Sequence, residues 1–203
     1  MSDLNYTDTI VWTKYKPKIP ATIRYDTEQK TIRSWNPFKN SLSAAIMSGL
    51  EILPITPNTS ILYVTDSTQP LQYLHLQDIT KNQTNITVFQ SKSTLPSFQS
   101  DNIVVINDLQ QLEKSNLKFE IIFIDDKEFD IKNIMSITKN HLIGNGILII
   151  RLSKESVDVL KSKLSILKDF FYILQDINIG NYFHKEIIIF AKTLSSKKNR
   201  III

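Results

Sequence analysis

The sequence contains no cysteine and only four glycines among its 203 residues. The lack of cysteine excludes disulfide bonds, thiolate zinc sites, iron–sulfur clusters and cysteine nucleophiles. The scarcity of glycine argues against glycine-rich loops that cradle a phosphate or a nucleoside, because such loops need backbone without side chains. No apolar run approaches the roughly 20 residues of a membrane span. The opening residues MSDLNYTDTI lack the basic and apolar regions of a secretory signal, so we expect a cytoplasmic protein that contacts no membrane.

The composition is that of a globular chain with a mild basic excess. Hydrophobic residues make up 42%, charged residues 22%, and the formal net charge is +4. This charge permits nucleic-acid binding without requiring it, because a solvated basic surface gives the same sum. The three histidines, His75, His141 and His184, show no metal-ligand spacing, so we expect no metal site.

The first 36 residues form a segment distinct from the rest of the chain. Three short stretches there are rich in β-branched and aromatic residues, which predicts strands at Thr9–Thr13, Ala21–Tyr25 and Lys30–Trp35. We therefore expect a small N-terminal β-layer over residues 1–36 and an α/β domain over residues 37–203. Helical spacing predicts a helix over Lys39–Leu53, capped by Asn40 or Ser41.

Strands and helices alternate from residue 60 onward. The predicted strands are Ile61–Val64, Ile86–Phe89, Ile103–Ile106, Phe119–Ile124, Ile147–Leu152, Phe171–Ile177 and Glu186–Lys192. The predicted helices are Leu71–Ile79, Phe129–His141 and Lys154–Phe170, with a turn at Gly144–Gly146 and a helix cap at Ser153. This order predicts an α/β fold with a seven-stranded, mostly parallel sheet and an antiparallel C-terminal hairpin. Ligands of such sheets bind at the carboxyl ends of the strands.

One segment carries a family resemblance. Arg33–Leu53 reads RSWNPFKNSLSAAIMSGLEIL, and LPITPNTSILYV leads from it into the first strand of the α/β domain. This segment resembles the fibrillarin family, and FEIIFIDD, GNGILIIRL and EIIIFAK extend the resemblance over nearly the whole chain. The resemblance implies a class I (Rossmann-like) methyltransferase fold. It also implies transfer of methyl from S-adenosylmethionine (SAM) to RNA ribose 2′-hydroxyls, within a box C/D particle built on a Nop-domain scaffold protein.

The resemblance places the cofactor positions at Thr65, Asp66, Gln90 and Asp108. The family has two glycines in the loop after its first strand, where this chain has Thr65 and Gln69. Side chains at these positions occupy space that the cofactor would need. Gln90 replaces an acidic residue that accepts bonds from ribose hydroxyls, so a charge-assisted bond is lost. Asp108 corresponds to the aspartate that contacts adenine.

The implied catalytic positions are Ser41, Asp125, Arg151 and Glu186. The family has two lysines, an aspartate and a histidine there, and only Asp125 is retained. Arg151 replaces a lysine, and a guanidinium with a pKa above about 12 cannot act as a base. Glu186 aligns with the histidine, although His184 lies only two residues earlier on the same strand face.

Three functions remain open. The departures together favour a catalytically impaired pseudo-methyltransferase that binds protein or RNA in RNA processing and needs no cofactor. Its expected partners are a Nop-domain scaffold protein of box C/D particles, an intact fibrillarin or both, together with guide RNA or rRNA. The first alternative is an active SAM-dependent rRNA/tRNA 2′-O-methyltransferase with a diverged site. The second is a stand-alone RNA-binding protein that uses basic residues such as Lys14, Lys16 and Lys18.

Overall fold

The computed structural model describes residues 9–13, 18–25, 30–67, 71–81, 86–90, 102–154 and 156–194. Near the N-terminus, three strands form a small antiparallel sheet in chain order. They are β1 (Ile10–Trp12), β2 (Pro20–Tyr25) and β3 (Lys30–Ser34). These bounds confirm the predicted meander. No helix in these ranges is long and apolar enough to cross a membrane.

The remaining strands form one seven-stranded sheet in the order β6-β5-β4-β7-β8-β10-β9. The strands are β4 (Ile61–Thr65), β5 (Ile86–Gln90), β6 (Ile103–Ile106), β7 (Phe119–Ile124), β8 (Leu142–Ser153), β9 (Phe171–Asn178) and β10 (Glu186–Thr193). The pairs from β6 through β8 are parallel, whereas β10 runs antiparallel to both β8 and β9. The predicted fold class is therefore confirmed, including its antiparallel C-terminal hairpin.

Helices cover both faces of this sheet. They are α1 (Ser41–Met47), α2 (Leu71–Ile79), α3 (Leu109–Lys114), α4 (Ile131–His141) and α5 (Val157–Phe170). Buried residues of α1 and α2 pack in a first core cluster, with Tyr63 and Phe123 of the sheet. Those of α3, α4 and α5 pack in a second cluster, with Val64 and Ile124. Neighbouring strand residues alternate between the clusters, as the period of two requires.

Helix α1 is shorter than the spacing predicts. It begins at Ser41 after the cap Asn40 but ends at Met47 instead of reaching Leu53. Gly49 has a φ of +100°, a left-handed conformation that stops the helix. Leu53 is nevertheless buried in the first core cluster, so its apolar character reflects burial in irregular backbone.

Two further local predictions were wrong, and one short helix was not predicted. The predicted turn at Gly144–Gly146 lies inside β8, which begins at Leu142. Ser156, rather than Ser153, caps α5 with its side-chain oxygen. Helix α3 was not expected, because its six residues are too few for a periodic pattern to stand out.

The small sheet packs on α2 through a buried polar cluster. Thr22 of β2 donates a hydrogen bond from Oγ1 to Asp78 Oδ2 over 2.6 Å, and His75 Nδ1 lies 2.9 Å from the same hydroxyl. Arg33 of β3 donates from Nε to Asp78 Oδ2 over 2.9 Å. The Trp35 indole stacks on the His75 ring with centroids 4.9 Å apart. The cluster joins the small sheet to the larger domain.

Candidate functional site

Sheet topology brings the predicted catalytic positions to one edge. Asp125 follows β7, and Arg151 lies near the end of the parallel strand β8. Glu186 begins β10 and pairs with Ser153 of β8. Because β10 is antiparallel, its first residue lies at the edge where the parallel strands end.

Asp125 is held by three side chains. Ser41, at the start of α1, donates from Oγ to Asp125 Oδ1 over 2.7 Å. Tyr63 of β4 donates from its hydroxyl to Oδ2 over 2.9 Å. Arg151 Nε lies 2.9 Å from Oδ1 in an ion pair, although the N–H is not aligned as a hydrogen bond. Both carboxylate oxygens therefore have partners inside the protein.

Arg151 links Asp125 to Glu186. Its Nη2 donates to the Asp125 backbone carbonyl over 2.6 Å, and its Nη1 donates to Glu186 Oε2 over 3.1 Å. The guanidinium carbon lies 5.5 Å from the centroid of the Phe183 ring, within cation–π range. Lys127 Nζ contacts the other Glu186 oxygen at 3.4 Å. Two carboxylates and two cations thus balance in one cluster, which we call the Asp125–Arg151 cluster.

The environment fixes the protonation of the cluster's main groups. Burial raises the pKa of Asp125, against the opposing effects of Arg151, Ser41 and Tyr63. Burial lowers the pKa of Arg151, but the carboxylates of Asp125 and Glu186 together raise it by more than burial lowers it. The net pKa therefore lies above its ordinary value. Arg151 is therefore a permanent cation. Burial and the Asp125 charge raise the pKa of Tyr63, so its hydroxyl stays protonated and donates.

Two of the predicted cofactor positions contact the loop after β4. The buried Thr65 hydroxyl accepts a bond from Ser67 N at 3.0 Å. The buried Gln90 amide donates to Ser67 O over 3.1 Å. Asp66 follows Thr65 and is half-buried. Gln69, the other glycine replacement, lies outside the described residues.

Asp108 follows β6, the strand beside β5. It is exposed, and its carboxylate caps α3 by accepting from Gln110 N at 2.8 Å. His184 is exposed, whereas Glu186 is buried, so the glutamate rather than the histidine lies in the cluster. In the described part of the chain, no three metal-ligating side chains come together.

Sequence reasoning missed Tyr63, Lys127 and Phe183. Tyr63 lies in an apolar strand and reads as core, yet its hydroxyl bonds Asp125. Lys127 lies two residues after Asp125 but contacts Glu186, a partner visible only in the folded chain. The aromatic Phe183 lies three residues before Glu186, and its position against Arg151 depends on the β9–β10 connection.

A separate apolar groove of about 670 Å³ lies where β9 begins and β10 ends, opposite the Asp125–Arg151 cluster. Its lining includes Met135 and Lys139 of α4, Phe170 of α5, and Leu194. No carboxylate lines it, so it offers no general base.

Sequence comparison identifies relatives over most of the chain. The profile of the fibrillarin family matches residues 13–192. The fibrillarin-like rRNA/tRNA 2′-O-methyltransferase of Methanococcus vannielii is 30% identical over 188 residues, which cover 81% of this chain and 78% of that protein.

Solved structures with the same fold include three fibrillarins. The Methanococcus jannaschii fibrillarin pre-rRNA processing protein aligns with a TM-score of 0.77 at 20% identity, over 92% of this chain and 98% of that one. A fibrillarin/Nop5p complex gives a TM-score of 0.74 at 18% identity, with the same coverage. Aeropyrum pernix fibrillarin with natively bound S-adenosyl-L-methionine gives 0.73 at 19% identity, over 90% and 92% of the two chains.

Proposed function

Because the chain belongs to the fibrillarin family, we propose that it is a non-catalytic, fibrillarin-like subunit of an RNA-processing particle. The observation that carries this proposal is the Asp125–Arg151 cluster. Asp125, the retained acidic position of the family, is buried and bonded by Ser41, Tyr63 and Arg151. The cluster pairs its own charges and engages both Asp125 oxygens, so it acts as a structural element.

Methyl transfer to a ribose hydroxyl needs a group that takes up the hydroxyl proton. Arg151 cannot, since it is a permanent cation whose pKa is raised further by its carboxylate partners. The Ser41 hydroxyl donates to Asp125, and both oxygens of Glu186 contact cations. Both Asp125 oxygens are already engaged by Ser41, Tyr63 and Arg151, so a substrate hydroxyl would have to compete with these partners. The four catalytic positions thus support packing better than proton transfer.

The residues at the cofactor positions do not fit SAM. Gln90 occupies the position of an acidic ribose acceptor, and its amide nitrogen is bonded to Ser67 O. The buried Thr65 carries a side chain where the family has glycine. Asp108 is engaged as a helix cap. We therefore assign this chain no SAM-dependent step.

The assembly follows from the family. A solved fibrillarin is in complex with Nop5p, and relatives are named rRNA/tRNA 2′-O-methyltransferases. We propose the same class of partners here: a Nop-domain scaffold, an intact fibrillarin, and guide RNA or rRNA. We also propose that residues 1–36 form the small β-layer and residues 37–203 the methyltransferase-like domain.

Calorimetry with SAM tests the loss of the cofactor site. The chain is expected to give no binding heat at about 1 mM SAM, whereas a Kd of about 1 μM corresponds to roughly −8 kcal/mol and needs an intact site. The Methanococcus vannielii relative, titrated under the same conditions, is the positive control. Micromolar binding by this chain, or methyl transfer to a guided RNA, would refute the proposal.

The second candidate is an active, diverged 2′-O-methyltransferase. The retention of Asp125, with a pKa that burial raises towards the range of a general base, favours it. If this candidate holds, Asp125→Asn abolishes transfer while the folded chain remains. If the first candidate holds, there is no transfer to abolish.

A further inference from the structure

An exposed aromatic pair lies beside the Asp125–Arg151 cluster. Phe38 leaves 67% of its surface exposed, although it is a large apolar side chain. Its ring meets the Tyr182 ring in a T-shaped contact, with centroids 5.2 Å apart and planes at 66°. Tyr182 directly precedes Phe183, which lies against the Arg151 guanidinium. The pair therefore borders the edge where the parallel strands end.

The backbone around both rings is fixed. Asn36 Oδ1 accepts a bond from Phe38 N at 2.9 Å, and Asn36 O accepts from Lys39 N at 3.1 Å, which closes a turn before α1. Tyr182 N donates to Ile179 O over 2.9 Å. The exposed ring is thus held in place before any ligand arrives, which lowers the entropy cost of binding.

The surroundings of the pair are polar and cationic. Exposed Lys39 follows Phe38 directly, and His184 and Lys185 follow within three residues of Tyr182. The nearby carboxylates of Asp125 and Glu186 are already paired with Arg151. An exposed aromatic ring whose sequence neighbours include exposed lysines matches a stacked base with its flanking phosphates. A protein interface would instead surround Phe38 with further apolar surface.

We propose that Phe38, braced by Tyr182, is a stacking platform for an unpaired nucleobase of RNA, with Lys39 and Lys185 positioned for the flanking phosphates. This inference rests on the proposed role in an RNA-processing particle. It does not depend on the loss of catalysis, because a stacked base needs no methyl donor.

Fluorescence anisotropy with a labelled 12-nucleotide single-stranded RNA tests the platform on the full chain. Phe38→Ala is expected to weaken binding about tenfold, which is within the range of aromatic stacking on one base. Phe38→Leu should lose nearly as much, because it keeps apolar bulk without a ring. Phe38→Tyr should stay within about twofold of the unaltered chain, since its ring stacks equally well.

Tyr172→Ala is the matched control. Tyr172 is 64% exposed on β9 and has no assigned role, so its loss should leave RNA affinity unchanged. Photocrosslinking with 5-iodouridine RNA should label Phe38 or Tyr182. Equal affinities for the unaltered chain and Phe38→Ala, or crosslinks only elsewhere, would overturn the platform. So would a Phe38→Ala defect confined to binding a protein partner.

The two proposals fail separately. Methyl transfer by the unaltered chain would refute the non-catalytic role and leave the Phe38 result standing. Unchanged RNA affinity in Phe38→Ala would refute the platform and leave the SAM titration standing.

Discussion

At the scale of single residues, the arginine at position 151 decides the character of the site. A lysine would offer one mobile charge, whereas Arg151 offers a planar fork that reaches Asp125 and Glu186 together. Its side chain is only 13% exposed. Removing the arginine would leave two buried carboxylates without their cation. The resulting loss of stability is far larger than the net contribution of the ion pair itself.

Arg151→Met is therefore expected to lower the free energy of unfolding by about 3–5 kcal/mol, because Asp125 and Glu186 lose their shared cation. Urea denaturation measures the change. Lys127→Gln is the control: its ammonium also contacts Glu186, but the side chain is 36% exposed, so we expect a loss of at most about 1 kcal/mol. Equal losses in the two variants would contradict a structural role specific to Arg151.

The sequence was sufficient to predict the main members of the Asp125–Arg151 cluster. It was not sufficient to predict the hydrogen bonds among them. Family resemblance identified Ser41, Asp125, Arg151 and Glu186, and the topology brings them together. The hydrogen bond from Tyr63 to Asp125 could not be predicted, because the pattern of an apolar strand does not show which group a tyrosine hydroxyl will contact. The cap role of Asp108 was also missed, since α3 itself is too short to recognise.

At the scale of elements, the contact between the small sheet and α2 depends on one neutral histidine. The Thr22 hydroxyl donates to Asp78, so it accepts from His75 Nδ1, which must carry a proton. Burial and the nearby Arg33 charge lower the pKa of His75 to about 3. The ring stays neutral at physiological pH and stacks on Trp35.

This lowered pKa predicts acid sensitivity. The unfolded chain takes up a proton at His75 near pH 6.5, whereas the folded chain does so only near pH 3. The resulting stability is fully present above pH 6.5 and is lost progressively as pH falls toward 3. By pH 5 the loss is about 2 kcal/mol, from roughly 1.4 kcal/mol per pH unit.

His75→Phe isolates that effect, because it keeps a ring against Trp35 and cannot titrate. Denaturation is measured at pH 7 and at pH 5. Between these two pH values, the free energy of unfolding of the unaltered chain should fall by about 2 kcal/mol more than that of the variant. His184→Gln, at an exposed position, should keep the full pH dependence. If the free energy of unfolding of His75→Phe depended on pH as strongly as that of the unaltered chain, another group would be responsible for the pH dependence.

The end of α1 offers a second test at this scale. Gly49 has a φ of +100° and no atom within 4 Å of an added Cβ, so only backbone strain opposes a side chain. Gly49→Ala is expected to cost about 1–2 kcal/mol of unfolding free energy. Gly144→Ala also meets no atom within 4 Å, and its φ lies outside the positive range, so thermal unfolding should show almost no change. Equal shifts in the two variants would exclude strain as the reason that α1 stops.

At the scale of the whole molecule, most of the architecture could be predicted, because buried parallel strands appear in the sequence as short apolar runs. Phe119–Ile124 was predicted with its observed bounds, since it is apolar from end to end apart from Glu120. Element ends were less predictable. Glycines at 144 and 146 suggest a turn, yet β8 extends beyond Ile147, where its pairing with β10 stops, to Leu142, which pairs with Phe119 of β7.

The proposed partnership with a Nop-domain scaffold can be tested on the whole chain. The chain shares its fold, over 92% of its length, with the fibrillarin/Nop5p complex structure. Mixing the purified chain with a Nop5p-type scaffold protein is therefore expected to give a joint peak in size-exclusion chromatography.

Nuclease treatment of the mixture should leave that peak unchanged if the contact is protein to protein. Adding an active fibrillarin then separates the two proposed partnerships. Displacement of this chain from the scaffold indicates that both proteins use one docking surface, whereas a joint peak of this chain and the active fibrillarin without the scaffold indicates direct pairing. Separate elution of all components would exclude both partnerships, because a shared fold without a shared surface gives no assembly.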